Sequence, residues 1–251
     1  MSNSDSPRTG VILAAGFGSR LAGTQDATDL KPLTPVAGTP LLIRTLNSLE
    51  TAGCTRAVIV VGYGMETVQE EIQDRYDGPL SLTFAVNEHY DLQNGVSVLA
   101  ARPHLNGSPF LLTMADHVLG DTLMEKARHH QPPERGATLL VDHKLDSIFD
   151  MDDATKVRVE DGRPQAIGKQ LDDYNCVDTG VFVATDGLME ALSAVYAAKG
   201  DAALSDGIQR LMGEGRMQTL DIGSGFWQDV DTPEMLDHAE EMLMGDLVPA
   251  E

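Results

Sequence analysis

The chemistry in this chain starts from the run Leu13-Ala14-Ala15-Gly16-Phe17-Gly18-Ser19-Arg20-Leu21, with Lys31-Pro32-Leu33 ten residues on. Small residues and two glycines at the end of an apolar strand let backbone amides approach a phosphate chain closely. Arg20 and Lys31 bring cationic charge to the same place. A dinucleotide fingerprint would need a third glycine where Leu21 stands. A P-loop would need Gly-Lys-Ser/Thr after four intervening residues. Asp116 follows another apolar run, where an acid serves either as a turn residue or as a metal ligand. The seven histidines show no metal-ligand spacing, and His129-His130 reads as a solvated helix end. His117 stands beside Asp116, a neighbour rather than a catalytic base.

These residues need a scaffold that gathers them. Residues 11–14, 57–61, 82–86 and 110–114 read as buried strands, each followed by polar or glycine-containing punctuation. Leu41, Leu42, Thr45, Leu46 and Leu49 recur at helical spacing, as do Met65, Val68, Ile72 and Tyr76. Strand–helix alternation implies right-handed crossovers and a mainly parallel sheet, whose ligands bind beyond the carboxyl ends of the strands. That rule selects the loop after residue 14 and Asp116. From residue 137 the pattern changes, with strands expected at 137–142, 156–160, 165–168 and 176–184. Asp161-Gly162 marks a hairpin. Helices are expected at 186–199 and 205–212, and Thr232-Pro233-Glu234 is a helix start. The expectation is an α/β fold, one domain over residues 10–244, with flexible ends at 1–9 and 245–251.

Composition narrows the partners. The 251 residues carry 39 Asp and Glu against 18 Lys and Arg, a net charge of −21. An acidic surface of that size repels nucleic acid and anionic membranes. It also suits a saline cytoplasm, where screening relieves the repulsion. Cys54 and Cys176 are the only cysteines, so neither a disulfide framework nor a thiolate zinc site is indicated. The first nine residues are polar, unlike a signal peptide, and no apolar run approaches the roughly 18–20 residues of a membrane span. A cytoplasmic location is expected.

The phosphate-loop string with its spaced Lys-Pro-Leu resembles the sugar-phosphate nucleotidyltransferases. The similarity runs from Gly10 to about Ala239. Leu112-Thr113-Met114-Ala115-Asp116-His117-Val118, Ile167-Gly168-Lys169, Cys176-Val177-Asp178-Thr179-Gly180 and Trp227-Gln228-Asp229-Val230-Asp231-Thr232 look most like the inositol-1-phosphate cytidylyltransferases. The resemblance implies a Rossmann-like, GT-A-like fold and transfer of CMP from CTP to inositol 1-phosphate with Mg2+. It assigns the triphosphate to Leu13, Ala14, Ala15, Gly16, Gly18, Ser19 and Arg20, and the attacked phosphate to Lys31. Asn94, Gly95 and Ser97 fall where relatives recognise base and ribose; for Asn94 a turn or helix cap is the alternative. Metal binding falls to Asp116 and Asp231. Of the pair Asp229 and Asp231, only one is expected to face the metal, with Asp229 behind. Lys169 takes the acceptor's phosphate, and Asp178, Thr179 and Gly180 its hydroxyls. Gly62-Tyr63 resembles a segment near the nucleotide or is strand punctuation. Another acceptor (a hexose 1-phosphate, phosphocholine or a phosphonate) or UTP fits the same class, and a homodimer is compatible with it. A binding-only regulator would not need the full set of Arg20, Lys31, Asp116 and Asp231.

Overall fold

The computed structural model describes residues 9–17 and 30–246. Among them the first half supplies β1 (Thr9–Ala14), the short β2 (Pro35–Val36) and β3 (Thr39–Pro40), then β4 (Arg56–Val61), β5 (Ser81–Val86), β6 (Phe110–Met114) and β7 (His117–Leu119). The second half adds β8 (Ala137–Asp142), β9 (Lys156–Glu160), β10 (Arg163–Gly168), β11 (Cys176–Ala184), β12 (Met217–Asp221) and β13 (Trp227–Asp229). Helices α1 (Leu41–Thr51), α2 (Met65–Arg75), α3 (Asn94–Ala100) and α4 (Asp121–His129) interleave with the first set. Helices α5 (Asp186–Lys199), α6 (Leu204–Gly213) and α7 (Pro233–Asp246) follow.

Nine strands form one mixed sheet. Its main path runs β10-β9-β11-β6-β1-β4-β5, with β8 pairing β11 and β12. The pairs β1–β4, β1–β6 and β4–β5 are parallel, and β11 turns the sheet antiparallel against β6, β8 and β9. The chain therefore leaves β1 toward β4 and β5, then returns to β1's other side as β6. That reversal makes the crevice between the carboxyl ends of β1 and β6 the topological switch point. The Gly16 loop and Asp116 flank it.

The sheet is buried on both faces, which is why β4 reads as an unbroken apolar run. Val11, Val58, Val60 and Leu112 face one layer with Leu188, Leu192, Ile208 and Leu211 of α5 and α6. Ile12, Ile59, Val61 and Leu111 face the other with Leu42, Leu46 and Leu49 of α1. The two sets alternate along each strand, as the period of two demands. The β9–β10 hairpin turns at Asp161 (φ 49°) and Gly162 (φ 71°), positive at both central positions as a type I′ turn requires. The expected strand and helix positions hold to within a residue or two. Sequence periodicity missed β12 and the short strands β2, β3, β7 and β13, which are too brief to show a pattern.

Candidate functional site

The short ribbon β7–β13 assembles the site. It is antiparallel, with Asp229 opposite His117 and Trp227 opposite Leu119, and Val230 N–H donates to the Asp116 carbonyl at 2.9 Å. This pairing brings Asp116, just before β7, alongside Asp229 and Asp231 from more than a hundred residues away. Lys31 enters from the far side of the switch point on a one-turn 3-10 helix, Lys31–Leu33, and is buried. Its Nζ donates to Asp116 Oδ2 at 2.6 Å and to Asp231 Oδ1. His117 Nδ1 donates to the other Asp116 oxygen at 2.6 Å.

Charge fixes the protonation of this group. Burial would raise the Asp116 pKa, but Lys31 and His117 outweigh it and hold the carboxyl well below the ordinary carboxylate range. Burial opposes the charge on Lys31 and on His117, and in both the neighbouring carboxylates win, so each pKa is raised. Asp229 goes the other way. Burial raises its pKa, and repulsion from Asp231 and Asp116 adds to that against the pull of His117.

Asp153, Asp229 and Asp231 each offer an oxygen within 4.8 Å of the others, the one such carboxylate set found among the described residues. The expectation that only Asp231 would face the cluster is corrected: residues two apart on an extended chain share a face, and both carboxylates arrive together. Asp153 was not legible in the sequence, since nothing in the run Asp150-Met151-Asp152-Asp153 singles it out. An all-oxygen donor set beside phosphate-binding residues suits magnesium, which is held by one or two carboxylates and completes its shell with water and phosphate. The observation that Lys31 Nζ is gripped by both Asp116 and Asp231 shows the same preference for a cation at this point.

The remaining expected residues divide. Ala14 and Ala15 are buried at the end of β1, and a methyl added at Gly16 would meet no described residue within 4 Å. The Leu13 carbonyl already accepts Ala115 N–H at 3.0 Å. Gly18, Ser19 and Arg20 lie outside the described residues. Lys169 Nζ sits 2.5 Å from Asp153 Oδ1, which brings it to the rim of the carboxylate cluster. Asp178 reaches the same neighbourhood: the register of β11 against β8 breaks between Asp178 and Phe182, and Gly180 adopts φ 73°. Burial pushes the Asp178 carboxyl up to about 6, opposed by the Gly180 N–H that donates to Oδ1 at 2.7 Å. Gly180 itself makes room for His117, because a methyl there would lie 2.4 Å from Nε2.

Two groups depart from expectation. Thr179 is fully buried and its hydroxyl donates to the Leu140 carbonyl at 2.9 Å, so its side chain faces the sheet and not an acceptor. Asn94 Oδ1 accepts the Leu204 N–H at 2.9 Å, securing the start of α6. Gly95 is glycine for close packing, since a methyl would lie 2.5 Å from the Ala202 carbonyl. Ser97 is buried and accepts from Asn87 Nδ2 at 2.9 Å. The side chains of Asn94 and Ser97 are thus turned to internal partners. Tyr63, by contrast, is 41% exposed, and its N–H donates to the Ala15 carbonyl at 3.1 Å, beside the phosphate loop.

A mixed sheet with a glycine loop, a bridging lysine and convergent carboxylates at its switch point is an arrangement suited to nucleotidyl transfer. Residues 10–203 match the MobA-like NTP transferase domain family, and the chain belongs to it. It is 32% identical over 236 residues to the bifunctional IPC transferase and DIPP synthase of Aquifex aeolicus, covering 94% of this chain and 52% of that protein. The chain therefore spans about half the length of the bifunctional relatives it matches. A 2-aminoethylphosphonate cytidylyltransferase of Lancefieldella rimae is 32% identical over 177 residues, 70% of this chain and 67% of that one. Among solved structures, the inositol-1-phosphate CTP transferase from T. maritima superposes with a TM-score of 0.80 at 27% identity, covering 94% of this chain and 97% of that one. No described helix is long and apolar enough to cross a membrane.

Proposed function

We propose that this chain transfers CMP from CTP to inositol 1-phosphate, giving CDP-inositol and pyrophosphate in a single magnesium-dependent displacement, in the cytoplasm. The observation that carries the reading is Lys31, buried between Asp116 and Asp231 at the switch point of a sheet similar over nearly its whole length to an inositol-1-phosphate CTP transferase. We read residues 10–244 as the unit that does this.

The acceptor's phosphate oxygen is already an anionic nucleophile, so no side chain needs to take its proton. A new P–O bond forms at the α-phosphorus as its bond to the α,β-bridging oxygen of CTP breaks, that oxygen leaving on pyrophosphate. Catalysis then consists of positioning and charge stabilisation. Asp116 and Asp231 would hold the magnesium, with Asp229 and Asp153 beside them adding negative charge. A bound divalent cation would draw phosphate oxygens together and offset the charge that builds on them. Lys31, held at this point by Asp116 and Asp231, donates to the α-phosphoryl oxygens. Arg20 and the amides around Gly16 and Gly18 hold the leaving pyrophosphate. His117 fixes the orientation of Asp116, and Lys169 holds the acceptor's phosphate.

A matrix of CTP, UTP and dTTP against inositol 1-phosphate, glucose 1-phosphate, phosphocholine and 2-aminoethylphosphonate, read by pyrophosphate release, tests this. CTP with inositol 1-phosphate should turn over fastest. Faster turnover with UTP or dTTP and glucose 1-phosphate would overturn the assignment of substrates and leave the class of reaction intact.

A further inference from the structure

A recess of about 450 Å³ opens beside Asp229, between the segment after β8, the turn before β13 and helix α7. Its size is that of a small-molecule site. Phe149, Phe226, Trp227 and His238 give its walls aromatic faces. Trp227 forms one side, and Phe149 stacks on His238 at another, with ring centroids 4.4 Å apart and planes 17° apart.

The Trp227 wall is held from behind. Its Nε1 donates to Asp142 Oδ2 at 3.2 Å, and Asp142 is 2% exposed. Lys144 Nζ donates to Asp142 Oδ1 at 2.8 Å and to the carbonyls of Gly223 at 2.7 Å and Gly225 at 3.0 Å. The ammonium's three hydrogens are thereby committed, which fixes the turn that carries Trp227. The ring then lies nearly parallel to His117, centroids 6.1 Å apart.

The described lining does not favour an anion. Among the described lining residues Lys144 is the one cation other than histidine, and it is spent on the wall, while Asp150 and Asp229 repel negative charge. What remains are carboxylate and amide acceptors around aromatic faces. That combination suits a ring with C–H groups on its faces, which lie against the electron-rich aromatic surface, and hydroxyls on its rim.

We propose that the recess binds the cyclic polyol ring of the acceptor, with Phe149, His238 and Trp227 as its faces and Asp229 accepting from a hydroxyl. The acceptor's phosphate then points out of the recess toward Lys169. This rests on the reading of the chain as a transferase for a phosphorylated ring alcohol, and it assigns acceptor specificity to the aromatic side chains Phe149, His238 and Trp227 beside the carboxylate cluster.

Trp227 is the sole tryptophan, so its emission reports on the recess directly. The full chain would be titrated with inositol 1-phosphate and, separately, with the ring-free 2-aminoethylphosphonate. Steady-state constants would be measured for the wild type, Phe149→Ala and His238→Ala. Phe149 is 46% exposed, so its truncation leaves the core intact. The ring acceptor should change Trp227 emission saturably and the ring-free one should not. Each variant should raise KM for inositol 1-phosphate about tenfold, the scale of one lost aromatic contact, with KM for CTP within about twofold. An unchanged acceptor KM in both variants, or an equal emission response to both compounds, overturns the assignment of the recess. No wild-type turnover with any cyclic acceptor overturns the functional reading itself, and the ring assignment with it.

Discussion

Replacing Lys31 with methionine separates two roles of one ammonium. Its Nζ bridges Asp116 and Asp231 before any substrate arrives, and methionine removes the ammonium that lies between the two carboxylates. Removing one partner of a fully buried pair costs about 3–5 kcal/mol. Here the Asp116 side chain is 29% exposed and keeps His117, which lowers the expected cost to roughly 2–3 kcal/mol. For a chain of this length each kcal/mol moves Tm by about 2–4 °C, so the metal-free variant should melt about 4–12 °C below wild type. Magnesium then meets no competing ammonium, and saturating magnesium should raise Tm more in the variant than in wild type. Turnover should nevertheless fall on the order of 10²–10³-fold, the scale of losing one preorganised donor at developing charge. Calorimetry in EDTA and in magnesium, with pyrophosphate release alongside, reads all three effects. Equal metal-free melting temperatures, or equal magnesium increments, would refute the idea that Lys31 and the cation compete for the same carboxylates.

Asp178→Asn should be more stable than wild type at pH 8. The folded pKa of about 6 lies above that of the unfolded chain, so the charged carboxylate destabilises the fold above pH 6. The gain should be about 3 kcal/mol and vanish by about pH 4, where the wild-type group carries its proton; melts that show no pH-dependent difference contradict the burial argument. Lys169→Ala should raise KM for the acceptor about tenfold and spare CTP affinity. Equal losses of both would move Lys169 to the nucleotide side. Asp116→Ala should abolish turnover or raise the magnesium requirement steeply, checked by rates across a magnesium series. The net charge of −21 predicts a melting temperature that rises between about 0.05 and 2 M KCl as screening shortens the reach of carboxylate repulsion. A fall across that range would rule out the saline adaptation.

The strand pattern and the switch-point rule were legible because both follow from local spacing. An apolar run buried on two faces, such as residues 57–61, announces itself without reference to the rest of the chain. The same holds for Asp161-Gly162, whose turn conformation depends on two residues, and for Thr232, whose hydroxyl accepts the Met235 N–H at 3.3 Å. Lys31, Asp116, Asp229 and Asp231 stand in strings that resemble the nucleotidyltransferases, and that resemblance implies their roles. Where each side chain points was another matter. Thr179 turns inward and Asp178 outward because a bulge interrupts β11 opposite β8, and a bulge is a property of two paired strands. Asn94 and Gly95 are shaped by the start of α6, and Gly180 by the His117 ring, partners far away in the chain. Asp153 joins Asp229 and Asp231, and Trp227 meets Asp142, only when the sheet closes. Local sequence determines which backbone conformations and burial patterns are affordable to each segment, whereas the convergence of charges from distant segments exists only in the folded chain.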